Sequence, residues 1–162
     1  MIAFLMAALL QIAPSPGEEP VAPYVQSDAN AGATPFGDRT TWQAFHEEAG
    51  VARIVDGLVT RNVADPRISD IFKGQDLVRL RRTLKEQFCY ILAGGCHYSG
   101  RDMRSAHADM GVQDADMAAL VENLQAAMRE EGVNFAAQNR LLAKLAPMRR
   151  DVVKIRSSQG IR

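Results

Sequence analysis

Residues 98–111 read Tyr98-Ser99-Gly100-Arg101-Asp102-Met103-Arg104-Ser105-Ala106-His107-Ala108-Asp109-Met110-Gly111, a short segment set between two long amphipathic stretches. About twenty residues separate those stretches, too much chain for a simple helical turn, and connections of that length usually carry function. His107 is one of 3 histidines in the chain. From a short helix beginning near Arg101 its neutral imidazole can swing inward and reach a metal or a haem iron from one side. The plainer reading is a partly buried histidine that hydrogen-bonds a carbonyl.

Outward from this segment the apolar spacing is helical nearly throughout. Upstream, Leu77, Leu80, Leu84, Phe88 and Ile91 form one stripe of a helix over 76–92, which Ala93-Gly94-Gly95 stops. Further upstream, Val51, Ile54, Val55, Leu58 and Val59 fall at i, i+3, i+4, i+7 and i+8, and that helix ends at Asp65-Pro66. Downstream, Asp114 or Asp116 is the expected N-cap of a helix carrying Met117, Leu120, Val121, Leu124 and Met128. A last helix begins near Asn134 with Phe135, Leu141, Leu142, Leu145, Met148 and Val152, and Pro147 is expected to kink it. No alternating strand pattern appears, so the fold class is all-α.

The flanks read differently. Residues 1–13 are apolar apart from Gln11, a length suited to a signal segment and short of the ~20 residues that span a bilayer. Ala13 can end a cleavage site, although no Lys or Arg precedes Arg39 as a positive leader would require. The expectation is an exported, periplasmic protein, with a cytoplasmic one as the alternative and membrane attachment only through this segment if it stays uncleaved. Residues 14–40, rich in Pro, Gly, Ala, Asp and Glu, are expected to form a flexible linker that contributes no core residue. The folded domain is then 41–157, followed by a disordered tail at 158–162. Lys plus Arg and Asp plus Glu both number 19, so no net field favours nucleic acid.

The residues now carry a resemblance. Ala52-Arg53-Ile54-Val55-Asp56, Ala64-Asp65-Pro66-Arg67-Ile68, Phe72, Asp76-Leu77-Val78-Arg79-Leu80, the Tyr98-Ser99-Gly100-Arg101-Asp102-Met103 string with Ala106-His107, and Leu145-Ala146-Pro147 together resemble the truncated haemoglobins, specifically group 1, in colinear order over about 41–153. The resemblance implies a two-over-two helical sandwich around one haem b, with His107 as proximal iron ligand and Phe72 packed on the porphyrin. It implies further cofactor contacts from Leu80, Leu84, Tyr98, Arg101 and Met103. Arg101 either pairs with a haem propionate or is simply solvated.

On the distal side the chain departs from the family. Relatives often place a tyrosine and a glutamine where this sequence has Val59 and Leu84, and both side chains donate to a bound ligand. The resulting distal set, Leu58, Val59, Thr83, Leu84, Gln87 and Phe88, is mostly apolar. Gln87 lies within about 20° of Leu80 on a helical wheel, which makes it either the remaining donor or a residue at the rim. Phe88 matches a ligand-entry gate of some relatives, or is a core aromatic. Lys85 lies just off the face, so the iron is expected to be five-coordinate. His46 receives no role.

Cys89 and Cys96-His97 do not meet the Cys-x-x-Cys-His spacing of covalent attachment, so the haem is expected to be non-covalent. A disulfide between Cys89 and Cys96 is allowed by the intervening glycines and not required. Two classes of function follow. One is a haem protein binding dioxygen, NO or CO, with NO dioxygenase activity through an external reductase as an enzymatic version. The other is a helical interaction module derived from a globin that no longer binds haem; a Soret band separates them.

Overall fold

The computed structural model describes residues 14–153. The segments read as export leader and disordered tail lie outside the described residues, as do 154–157 of the expected domain. Helix α1 spans Thr40–Ala44, α2 Glu47–Ala64, α3 Ser69–Phe72, α4 Leu77–Ile91, α5 Met103–His107, α6 Asp114–Glu130, α7 Phe135–Leu145 and α8 Arg149–Val152. No strand occurs among the described residues. Helices α2, α4, α6 and α7 all contribute to the core, and α2 is its hub because it packs on both α4 and α6.

Local chemistry sets the helix ends. Asp76, Asp102 and Asn134 each accept from a backbone amide three residues on, at 2.9, 3.0 and 2.9 Å, and so start α4, α5 and α7. The expected cap of α6 is displaced: Gln113 precedes the helix, and Asp116 reaches back to accept the Gln113 amide at 2.8 Å. A carboxylate three residues into a helix is placed to satisfy the cap residue's own N–H, which an inspection of N-cap preferences alone does not register. Pro147 behaves as expected, ending α7 in a tight turn over Ala146–Met148 before α8 resumes. The buried stripe of α2 is Val51, Ile54, Val55, Leu58 and Val59, continued by Asn62, which is only 2 % exposed. At the start of that helix a Cβ on Gly50 would lie 2.0 Å from the Phe45 carbonyl oxygen, so only glycine lets α1 turn into α2.

After α4 the chain closes tightly. The Gly94 amide donates to Cys89 and the Ala93 amide to Tyr90, at 2.8 and 3.1 Å, with Ala93 in the left-handed region at φ 63°. This reversal brings Cys96 back over the helix, and Cys89 and Cys96 form a disulfide with Cα atoms 5.7 Å apart.

The expected flexible linker is the main correction. Residues 14–38 form a strap bound to the domain along its length. Glu18 of the strap has a side chain 1 % exposed and accepts from Arg82 Nη2 at 3.0 Å. The Glu19 amide donates to Asp76 at 2.8 Å, the Tyr24 hydroxyl to the Ser99 carbonyl at 2.7 Å, and the Phe36 amide to the Ile91 carbonyl at 2.9 Å. Asp28 accepts the Tyr98 amide at 2.8 Å, and Ala31 is fully buried. Composition alone misses this, because the strap makes no core of its own and is ordered by hydrogen bonds to residues far along the chain.

Candidate functional site

Beneath the strap, α4, α5, the first turns of α6 and the segment Leu145–Met148 enclose a cavity of about 440 Å³, within the size range of sites that bury a cofactor. Its wall is mainly apolar. Phe72, Leu80, Leu84, Phe88 and Leu58 contribute, and so do Met117, Leu120 and Leu145, which the periodicity of the last two long helices had already marked as inward-facing.

His107 lines this cavity from the C-terminal end of α5. Its Nδ1 lies 2.7 Å from the Met103 carbonyl oxygen, one helical turn back. A carbonyl only accepts, so Nδ1 carries a proton, and in the neutral ring this leaves the lone pair on Nε2, the tautomer that can bind a metal. The two readings of His107 are therefore compatible: the carbonyl bond orients the ring that the cavity receives.

The loop leading to α5 is shaped by its own sequence. The Tyr98 ring folds over Gly100 and its hydroxyl donates to the Arg101 carbonyl at 3.0 Å. Burial pushes the phenol well above its usual range, so it remains a donor. A Cβ on Gly100 would stand 2.2 Å from that hydroxyl oxygen. Gly100→Ala is accordingly expected to cost about 1–3 kcal/mol and lower the thermal midpoint; an unchanged midpoint would mean that the ring is free to move aside.

The sequence-predicted contacts Phe72, Leu80, Leu84, Tyr98, Arg101 and Met103 all meet at the cavity, as do Leu58, Thr83, Gln87 and Phe88 of the distal set. Val59 does not. It is fully buried in the core cluster and forms no part of the wall, because α2 turns Leu58 and Asn62 toward the cavity instead. Gln87 reaches the wall without being a free donor: its Nε2 donates to the Ala31 carbonyl of the strap at 2.8 Å and lies 3.5 Å from the Met103 sulfur. The wheel correctly turned Gln87 inward; it carried no information about the strap that binds it. The Thr83 hydroxyl donates back to the Arg79 carbonyl at 3.0 Å, as helical threonines do. Lys85 pairs with Asp56 at 3.0 Å, away from the cavity. Phe88 is both wall and core, 2 % exposed.

At the mouth, Arg101 donates to the Ala22 carbonyl at 3.2 Å and stacks its guanidinium 5.3 Å from the Tyr24 ring centroid. Arg79 also lines the opening, its Nε 3.5 Å from Asp76 Oδ2 and its Nη2 3.4 Å from Glu18 Oε2. An apolar slot, a histidine with a free Nε2 and two arginines, Arg79 and Arg101, at the entrance together suit a flat apolar cofactor with acidic substituents. Among the wall residues that the sequence reading missed is the polar Asn62. A polar side chain on the buried stripe of α2 was the signal available for it.

The profile of the family described as bacterial-like globin matches residues 40–154. A group 1 truncated hemoglobin of Tetrahymena pyriformis is 27 % identical over 115 residues, covering 71 % of this chain and 95 % of its own length. The crystal structure of a truncated hemoglobin from the same organism in its Fe(III) form superposes with a TM-score of 0.67 at 26 % identity, covering 70 % of this chain and 97 % of that one. The 2/2 hemoglobin of Synechococcus sp. PCC 7002, crystallised in the cyanomet state with covalently attached heme, shares the fold at a TM-score of 0.65 and 24 % identity, over 70 % of this chain and 97 % of its own.

Proposed function

The chain belongs to the bacterial-like globins, as a group 1 truncated haemoglobin of two-over-two helical fold, and from that premise we propose that it holds one haem b non-covalently and reversibly binds dioxygen, with NO and CO as further ligands. The observation that carries the proposal is His107, whose Nδ1 is committed to the Met103 carbonyl and whose Nε2 is left for iron inside an apolar cavity. The haem supplies the iron and its redox chemistry. The protein's residues do the rest. Phe72, Leu80 and Leu84 form an apolar wall that favours a porphyrin over water, and Arg79 and Arg101 stand at the mouth where propionates would lie. Non-covalent attachment is supported by the cysteines: the chain has 2, and both are in the disulfide.

The test is addition of haemin to the purified protein. A Soret band saturating at one haem per chain, with ferrous spectra that change reversibly between nitrogen and air, is the expected result. Absence of the band under these conditions would return the protein to the class of helical interaction modules.

We also propose an oxidising compartment such as the periplasm. The Cys89–Cys96 disulfide supports it, since thiols in a reducing cytosol rarely remain bridged. Mass spectrometry of the native protein should find the bridge intact and an N-terminus near residue 14; reduced cysteines on an uncut chain would overturn it.

A further inference from the structure

We propose that Asn62 is the hydrogen-bond donor of the ligand cavity, presenting its amide Nδ2 to a bound diatomic ligand; this rests on the haem reading above. Asn62 is 98 % buried by its 2 % exposure, and it lines the cavity one turn beyond Leu58 on α2. The side of the amide that faces the cavity follows from a chain of partners. Asp65 is gripped by Arg67 through two bonds, Nε to Oδ1 at 3.0 Å and Nη2 to Oδ2 at 2.8 Å. That contact holds the Asp65 carboxyl far below its usual range, so it only accepts. Asn123 of α6 lies 3.1 Å from Asp65 Oδ2 and must turn its NH2 there. The same NH2 is 3.0 Å from Asn62, whose oxygen must therefore face Asn123. The Asn62 NH2 then lies on the other side of the amide, and it donates to no group among the described residues.

The competing donors of α4 and the Tyr98 loop are engaged elsewhere, and Arg79 stands at the mouth with the Glu18 and Asp76 carboxylates beside it. Gln87 is bonded to Ala31, Thr83 to Arg79, and Tyr98 to Arg101. Asn62 lines the cavity, and with its oxygen held by Asn123 its NH2 is left with hydrogens to donate there. Here it stands in a cavity whose α4 wall is apolar at Leu80 and Leu84, and its chain of hydrogen bonds joins α2 to α6, two helices that pack directly together. Dioxygen, which takes on negative charge when bound, gains from such a donor; carbon monoxide gains much less.

The experiment compares haem-loaded wild type with Asn62→Leu and with Asn62→Asp, the isosteric change that keeps the oxygen facing Asn123 and removes the donor. Stopped-flow mixing reads ligand loss, and infrared spectroscopy reads the C–O stretch of the carbonyl complex. Both variants are expected to release dioxygen about tenfold faster, with carbon monoxide loss changed much less and the C–O stretch moved to higher frequency in Asn62→Leu. Variants that load haem normally yet keep the wild-type rate and stretch would overturn the assignment of Asn62 alone. A wild type that takes up no haem would instead overturn the haem reading on which it stands.

Discussion

His107→Ala is expected to abolish stable haem binding, with affinity falling roughly 100-fold or more, about 3 kcal/mol, and with recovery of the spectrum on addition of free imidazole. No other histidine among the described residues lines the cavity. The other two histidines lie at the surface: His46 pairs with Glu131 at 3.0 Å and His97 with Asp28 at 3.0 Å, and the His97 side chain is 91 % exposed. His46→Ala and His97→Ala should keep a normal Soret band. Equal haem retention in all three variants would show that the ligand is not His107. Because the Nδ1 contact is to a backbone carbonyl, no second substitution is needed to release the ring, and the effect reads the ligand directly.

Removal of the strap should have the largest effect on stability. A chain beginning at residue 39 leaves the buried Gln87 amide without the Ala31 carbonyl and Arg82 without Glu18, and it strips one edge of the cavity. The loss is expected to be about 3–5 kcal/mol, on the order of 15 °C in midpoint, with weakened haem retention. A truncated chain as stable as the whole one would show that residues 14–38 are a tether after all. Within the full chain the acid limb isolates Glu18. The hydrogen bond from Arg82 holds its carboxyl below the ordinary value of 4.5. A depressed folded value means that the stabilisation is complete above pH 4.5 and is lost as pH falls through the lower folded value. Arg79 and Asp76 share this environment, Arg79 adding to the effect and Asp76 opposing it. Glu18→Gln should therefore flatten the fall in stability on acidification below pH 4.5 and lower stability at neutral pH. A parallel fall in both proteins would place the acid-labile contact elsewhere.

Sequence by itself determined the helices and much of the site. Apolar spacing located α2, α4, α6 and α7, since a 3.6-residue period needs only neighbours along the chain. The same local information marked the breaks at Asp65-Pro66 and Pro147 and the starts of α4 near Asp76 and of α7 near Asn134. The string from Tyr98 to His107 was legible because each member acts within a few residues of the next: Tyr98 over Gly100, Asp102 capping Ser105, Met103 orienting His107.

Tertiary structure alone decided the rest. The strap, the engagement of Gln87, the withdrawal of Val59 into the core and the amide chain from Arg67 to Asn62 each depend on partners far apart in sequence, 56 residues in the case of Gln87 and Ala31 and 61 for Asn123 and Asn62. A helical wheel assigns a direction to a side chain, but whether an inward polar group meets a carbonyl, a core or an open cavity is settled only when another segment is packed against it.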